Sequence, residues 1–113
     1  MASDLNYVEY VCDQAGLAGR MSFRKMFGEY ALYLDGKVVA FVCDNQLYLK
    51  PTDAGRALLD RVDARPFYPR GKPHFRLGEE IDDRALLQRL LLTTAQALPM
   101  PKAKLPRRTV GKP

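Results

Sequence analysis

The sequence has little of what catalysis requires: among its 113 residues are one histidine, His74, two cysteines, Cys12 and Cys43, and no tryptophan. Acid–base and nucleophilic catalysis need several convergent titratable groups, and nothing near His74 has the spacing of a catalytic or metal-binding motif. A CxxC pair and a GxxxxGK[ST] phosphate loop are also absent. We therefore expect reduced, buried cysteines, no catalytic residue, no metal and no cofactor, and the protein is predicted not to be an enzyme.

Long apolar runs are missing as well. No stretch approaches the roughly 20 residues of a membrane-spanning helix. The N-terminus, MASDLNYVEY, lacks the basic and apolar regions of a secretory signal. The sequence therefore predicts a cytoplasmic protein without a membrane partner.

Residues 99–113 contain no acidic residue. All 13 acidic residues precede this segment, together with 13 of the 18 basic residues, so the preceding part is formally neutral. The segment is rich in proline and has little to bury. We predict one domain at 1–98 and a basic, disordered tail at 99–113, whose candidate phosphate contacts are Lys102, Lys104, Arg107 and Arg108.

Between Met26 and Lys50 the sequence contains three short runs in which apolar residues recur at every second position. This pattern predicts an antiparallel meander. The dipeptides at Asp35 and Asp44 suit two-residue hairpin turns with positive φ angles. Leu34 should then pair with Lys37, and Cys43 with Gln46. With regular pairing, one face would carry Ala31, Tyr33, Val38, Ala40, Val42, Leu47 and Leu49, and the other Tyr30, Leu32, Leu34, Val39, Phe41, Cys43 and Tyr48. The first, more apolar face should contact the helices.

Around the meander, helical spacing predicts a first helix from Leu5 that Gly16 closes, a short helix after Asp53, and an apolar last helix over 85–98. The segment 64–77 is typical of two short strands around a proline-rich loop. The fold class expected is α+β: an antiparallel sheet of about five strands, with the meander at its centre and helices packed on one face.

The sequence resembles the N-terminal domain of the TfoX/Sxy family over nearly all of residues 5–98. The resemblance is carried by the segments Met26-Phe27-Gly28, Tyr30, Leu32-Tyr33, Asp35-Gly36 and Leu47-Tyr48-Leu49-Lys50. It implies an α+β domain and a group named for regulators of bacterial natural competence, which resemble transcriptional co-activators acting with another DNA-binding protein. Full-length members carry a second helical domain where this sequence has its basic segment.

The second sheet face is the candidate interaction surface, with Tyr30, Phe41 and Tyr48 bordered by Lys37 and Lys50. We expect a non-enzymatic regulatory module whose partner is another protein, with the transcription machinery as one candidate, and a homo-oligomer formed through this face or the last helix. The alternative is weak, largely sequence-independent nucleic-acid binding, by base stacking on the aromatic rings or by phosphate contacts of the tail.

Overall fold

The computed structural model describes residues 4–17, 19–26, 29–67 and 70–99. In chain order the elements are α1 (Leu5–Ala15), β1 (Met21–Met26), β2 (Glu29–Leu34), β3 (Lys37–Cys43), β4 (Gln46–Leu49), α2 (Asp53–Arg56), β5 (Ala64–Arg65), β6 (His74–Leu77), a 3-10 turn (Glu79–Asp82) and α3 (Arg84–Ala97).

The strands form a six-stranded antiparallel sheet in the order β1-β2-β3-β4-β6-β5. The α+β class is confirmed. The sheet has one strand more than the predicted five, because β1 is a separate edge strand paired with β2 from Met21 to Met26.

Both hairpin turns of the meander are as predicted. Asp35 and Gly36 have φ values of 53° and 85°, and Asp44 and Asn45 have 55° and 56°, so both central residues of each turn lie in the left-handed region. Leu34 pairs with Lys37 and Cys43 with Gln46, so the register next to each turn is confirmed.

Between these turns β3 contains a bulge, and the predicted faces of β2, and of Val38 and Val39 in β3, are therefore wrong. Tyr33 pairs with Val38 but Leu32 pairs with Ala40, so Val39 is an extra residue on β3. An extra residue reverses which side chains of the two strands share a face. Tyr30, Leu32 and Leu34 consequently lie with Ala40 and Val42, and they belong to the core.

The helices pack on one face of the sheet, which we call the helix face. Its core side chains are Tyr30, Leu32, Leu34, Val39, Ala40, Val42, Leu47, Leu49, Phe75 and Leu77. α1 contributes Val8, Val11 and Ala15 to the same core, and α3 contributes Leu87, Leu90, Leu91 and Ala95. The apolar arc of α3 is wide because this helix contacts α1 on one side, α2 on another and the sheet beneath. This arc was one of two surfaces predicted for self-association, the other being the second sheet face, but the fold covers it.

Three helix ends in the described residues have clear caps, whereas Asp4 before α1 forms no capping hydrogen bond through its side chain. Gly16 ends α1 in the left-handed conformation, with φ of 67°. The Thr52 hydroxyl accepts a hydrogen bond from the Gly55 amide at the start of α2, and the Asp83 carboxylate accepts one from the Leu86 amide at the start of α3.

Candidate interaction surfaces

The sheet face opposite the helices, which we call the outer face, carries an aromatic cluster. Phe41 of β3 stacks on Phe67, with ring centroids 4.7 Å apart and an interplanar angle of 20°. The rings of Tyr48 and His74 lie 5.5 Å and 5.0 Å from Phe67. Phe67 lies in the loop after β5, and its ring covers part of the outer face. Phe41, Phe67 and His74 remain half-buried, whereas Tyr48 is buried.

Cys43 closes one side of this cluster. Its thiol donates a hydrogen bond to the carbonyl oxygen of Phe67 at 3.2 Å. Burial, followed by the hydrogen bond and negative charge of Glu29, raises the pKa of Cys43 to about 11. Because a thiolate is the reactive form, this shift makes the thiol a poor nucleophile at neutral pH. The burial expected for both cysteines is only partial, since Cys12 and Cys43 are half-buried.

Arg76 of β6 connects the outer face to the loop before β5. Its guanidinium donates to the carboxylate of Asp63 at 3.0 Å and to the amide oxygen of Gln46 at 2.9 Å. Hydrogen bonds from Arg65 and Arg76, in that order, hold the pKa of Asp63 below its ordinary value. Beside this network is an open cleft of about 540 Å³ that extends to Glu79 and is lined mainly by charged side chains.

The structure separates the residues predicted to form the interaction surface. Phe41 and Tyr48 lie together on the outer face, and Lys50, half-buried, directly follows β4. Tyr30 is on the helix face and only 7% exposed, because of the bulge in β3. Lys37 is directed to the C-terminal end of α3, where its ammonium donates to backbone carbonyls. Tyr30 and Lys37 are therefore not neighbours of the aromatic cluster.

Strand β1 forms one edge of the sheet and is exposed along most of its length. All of its residues from Ser22 to Met26 are exposed, and the exposed fractions are 38% for Phe23 and 36% for Met26. Phe23 lies on the helix face, where its ring contacts that of Tyr30 edge-on at 5.8 Å. Met21, at the start of the strand, packs against the core, whereas the rest of the strand remains exposed.

Other predicted features fall outside the described residues or have no counterpart within them. Lys102, Lys104, Arg107 and Arg108 lie outside the described residues. Within the described part of the chain, no group of three or more His, Cys, Asp and Glu side chains is placed to hold a metal ion. None of the helices described there has the length and apolar character needed to cross a bilayer.

Sequence reasoning missed Phe67, His74 and the exposed edge of β1. Phe67 follows Pro66, in a segment where prolines disfavour regular pairing, and the sequence predicts only two short strands around a loop there. Phe67 is an apolar residue in a loop, and such a residue needs a surface to cover. That is the signal that could have placed it on the outer face.

The fold is thus a one-sided α+β domain, with helices on one face of a six-stranded sheet and an aromatic cluster on the other. Residues 13–98 match the family model described as the TfoX N-terminal domain. A relative from Spirochaeta aurantia, described as "Uncharacterized 12.7 kDa protein in trpE 5'region", is 45% identical over 104 residues, covering 92% of this chain and 90% of the relative. The chain belongs to the TfoX N-terminal domain family, and the resemblance stated from its sequence is confirmed.

Proposed function

We propose that this chain is a non-enzymatic regulatory module that acts by binding another protein through the outer face. The observation that carries the proposal is a sheet face with half-buried Tyr33, Val38, Phe41 and Phe67, against which no helix packs in the described part of the chain. Aromatic side chains are enriched in protein interfaces. Membership of a family named for competence regulators supports a regulatory role, and the transcription machinery is the partner class proposed.

The arrangement of the aromatic cluster favours a protein partner over a stacked base. Base stacking needs an aromatic ring with one free face. The ring of Phe41 is already stacked on Phe67, and Tyr48 is only 8% exposed. A partner would instead contact the rim of the cluster and the neighbouring half-buried pair of Tyr33 and Val38.

A second candidate function is weak nucleic-acid binding by residues 99–113, independent of the outer face. It is proposed because this segment contains five basic residues and no acidic residue. Such binding would be carried by phosphate contacts and would be independent of sequence. The proposed boundary at residue 98 allows the two functions to be tested separately.

The outer face can be tested with a photo-crosslinking amino acid in place of Tyr33, expressed in the native cytoplasm. Glu9 provides the matched control, because it is exposed on α1 in the helical layer. We expect the Tyr33 variant to give an adduct with another protein that persists after nuclease treatment, and the Glu9 variant to give none. Equal adducts from both positions would contradict the proposal. An adduct of the Tyr33 variant only with a second copy of this chain would replace the proposed partner with the predicted homo-oligomer.

A further inference from the structure

The two edges of the sheet differ in a way that matters for binding. The β5 edge is two residues long, is followed by Pro66, and its Arg65 is paired with Asp63. Short strands and proline are common means of preventing an edge from pairing with another chain. The β1 edge has six residues, contains no proline, and pairs with β2 in a continuous register. Among the described residues no further strand pairs with it.

The hydrogen bonds next to β1 show which backbone groups face outward. The Asp35 amide donates to the Arg20 carbonyl at 2.9 Å, whereas the Met21 amide turns away from β2 and donates to Leu17 at 3.2 Å. Antiparallel ladders alternate between residues that bond to the partner strand and residues that do not. The amide and carbonyl groups of Phe23 and Lys25 therefore point to the free edge.

Side chains along this edge add charge and apolar surface to the free backbone groups. Arg24 and Lys25 are exposed on opposite faces of the strand, and neither forms an ion pair with a described residue. Phe23 and Met26, also exposed, flank them. β1 contains no acidic residue, so a ligand with negative charge opposite Arg24 and Lys25 would be complementary in charge on both faces.

We propose that the free edge of β1 binds an extended, acidic segment of the partner protein by strand addition. This inference rests on the proposed function, because Ser22 of β1 pairs with Tyr33 of the outer face and the edge is the margin of that surface. Main-chain hydrogen bonds to Phe23 and Lys25 provide affinity, as in other cases of strand addition. Two adjacent acidic residues opposite Arg24 and Lys25, with an apolar residue opposite Phe23, provide specificity.

A second copy of the chain is a poorer occupant of the same edge. Antiparallel pairing of two β1 strands would place both copies of Arg24 and Lys25 in one short seam, and like charges close together across strands are destabilising. The same two cations thus disfavour self-pairing and favour an acidic partner. Phe23, which lies beside Tyr30, offers the apolar residue of the partner a surface on the helix face.

The test uses the full chain and the capped peptide Thr-Val-Glu-Glu-Val-Thr, whose sequence is the same in both directions and so fits either strand orientation. In a ¹⁵N-NMR titration at millimolar peptide, the largest saturable shifts are expected at the amides of Phe23 and Lys25. Lys25→Glu should weaken binding by about tenfold, and the matched reversal Arg89→Glu, at an exposed position on α3, should leave it unchanged. A peptide with lysines in place of the glutamates should bind only the double variant Arg24→Glu, Lys25→Glu.

Methylation of the peptide amides tests the backbone part of the proposal. Two peptides methylated on alternate amides should differ, because only one set of amides faces β1: one peptide should bind and the other should not. The proposal is overturned if the glutamate peptide gives no saturable shifts, if the shifts map away from β1, or if Lys25→Glu and Arg89→Glu behave alike. A β1-mediated homodimer seen by sedimentation also overturns it. The crosslink from Tyr33 needs none of these peptides, so failure here leaves the proposed function standing.

Discussion

The ammonium nitrogen of Lys37 lies 2.7 Å from the carbonyl oxygen of Ala95 and 2.9 Å from that of Leu98. The last carbonyl groups of an α-helix have no partner within the helix and form the negative end of its dipole. Lys37 is the first residue of β3, so the β2–β3 hairpin supplies the charge that caps α3. A lysine that the sequence placed on an interaction surface thus joins the sheet to its longest helix.

We expect Lys37→Met to lower the free energy of unfolding by about 1 to 2 kcal/mol, because hydrogen bonds to a charged group are lost at a helix terminus. Lys37→Glu should cost more, since it places a negative charge at the negative end of the dipole. Urea denaturation monitored by circular dichroism measures both. Lys25→Met is the control, because Lys25 is exposed on β1; equal effects at both positions would contradict the capping role.

The bulge in β3 predicts opposite behaviour for two neighbouring residues of β2. Leu32 is fully buried, whereas Tyr33 is half-buried on the outer face. Leu32→Ala should therefore lower the free energy of unfolding by about 3 kcal/mol through lost burial and cavity formation, and Tyr33→Ala by much less. Thermal or urea unfolding of the two variants decides the question. If Tyr33→Ala destabilised the protein more than Leu32→Ala, Tyr33 would be the buried residue, as regular pairing without a bulge predicts.

The strands of the meander show how much of the fold could be predicted from the sequence. Both turns could be predicted because Asp35-Gly36 and Asp44-Asn45 tolerate positive φ angles. The faces of β4, and of β3 from Ala40 to Cys43, follow from alternation on either side of the second turn, and they are correct. Val38 and Val39 lie on the faces opposite to those predicted. Val39 breaks the alternation, but bulges depend on tertiary packing and β3 has no glycine to mark one. Phe67 covers the outer face through a loop contact, which periodicity cannot reveal.

Replacing Thr94 by valine should increase the free energy of unfolding. Thr94 is fully buried in α3, and its hydroxyl oxygen has no hydrogen-bond partner among the described residues. A buried hydroxyl without a partner destabilises the folded state. Thr94→Val, which keeps the shape of the side chain, should raise the free energy of unfolding by about 1 kcal/mol. The neighbouring half-buried Thr93 is the control, and Thr93→Val should change little; a loss of stability in Thr94→Val would show that the hydroxyl is hydrogen-bonded.

Cys43 should react slowly with thiol reagents. With its pKa raised to about 11, alkylation at pH 8 should be roughly two orders of magnitude slower than for a free cysteine of ordinary pKa. Iodoacetamide labelling followed by mass spectrometry of Cys12→Ala measures this rate, and the same variant unfolded in urea should react at the ordinary rate. Unfolding exposes the thiol and returns its pKa to the ordinary value, so the unfolded chain loses the thiol proton at a lower pH than the folded chain. The free energy of unfolding should therefore decrease as pH rises from the ordinary thiol pKa to about 11. Rapid labelling of the folded variant would contradict the half-buried, hydrogen-bonded thiol.

The proposed tail predicts how any binding to nucleic acid depends on salt. Residues 99–113 contain five basic residues, Lys102, Lys104, Arg107, Arg108 and Lys112. Five phosphate contacts on duplex DNA would give a slope of roughly −4 to −5 for log affinity against log salt concentration. Truncation after Leu98 should abolish binding measured by fluorescence anisotropy, while the unfolding midpoint stays nearly unchanged, because the proposed domain ends at residue 98. If the truncated chain bound DNA tightly and Phe41→Ala removed that binding, the outer face rather than the tail would be the nucleic-acid site.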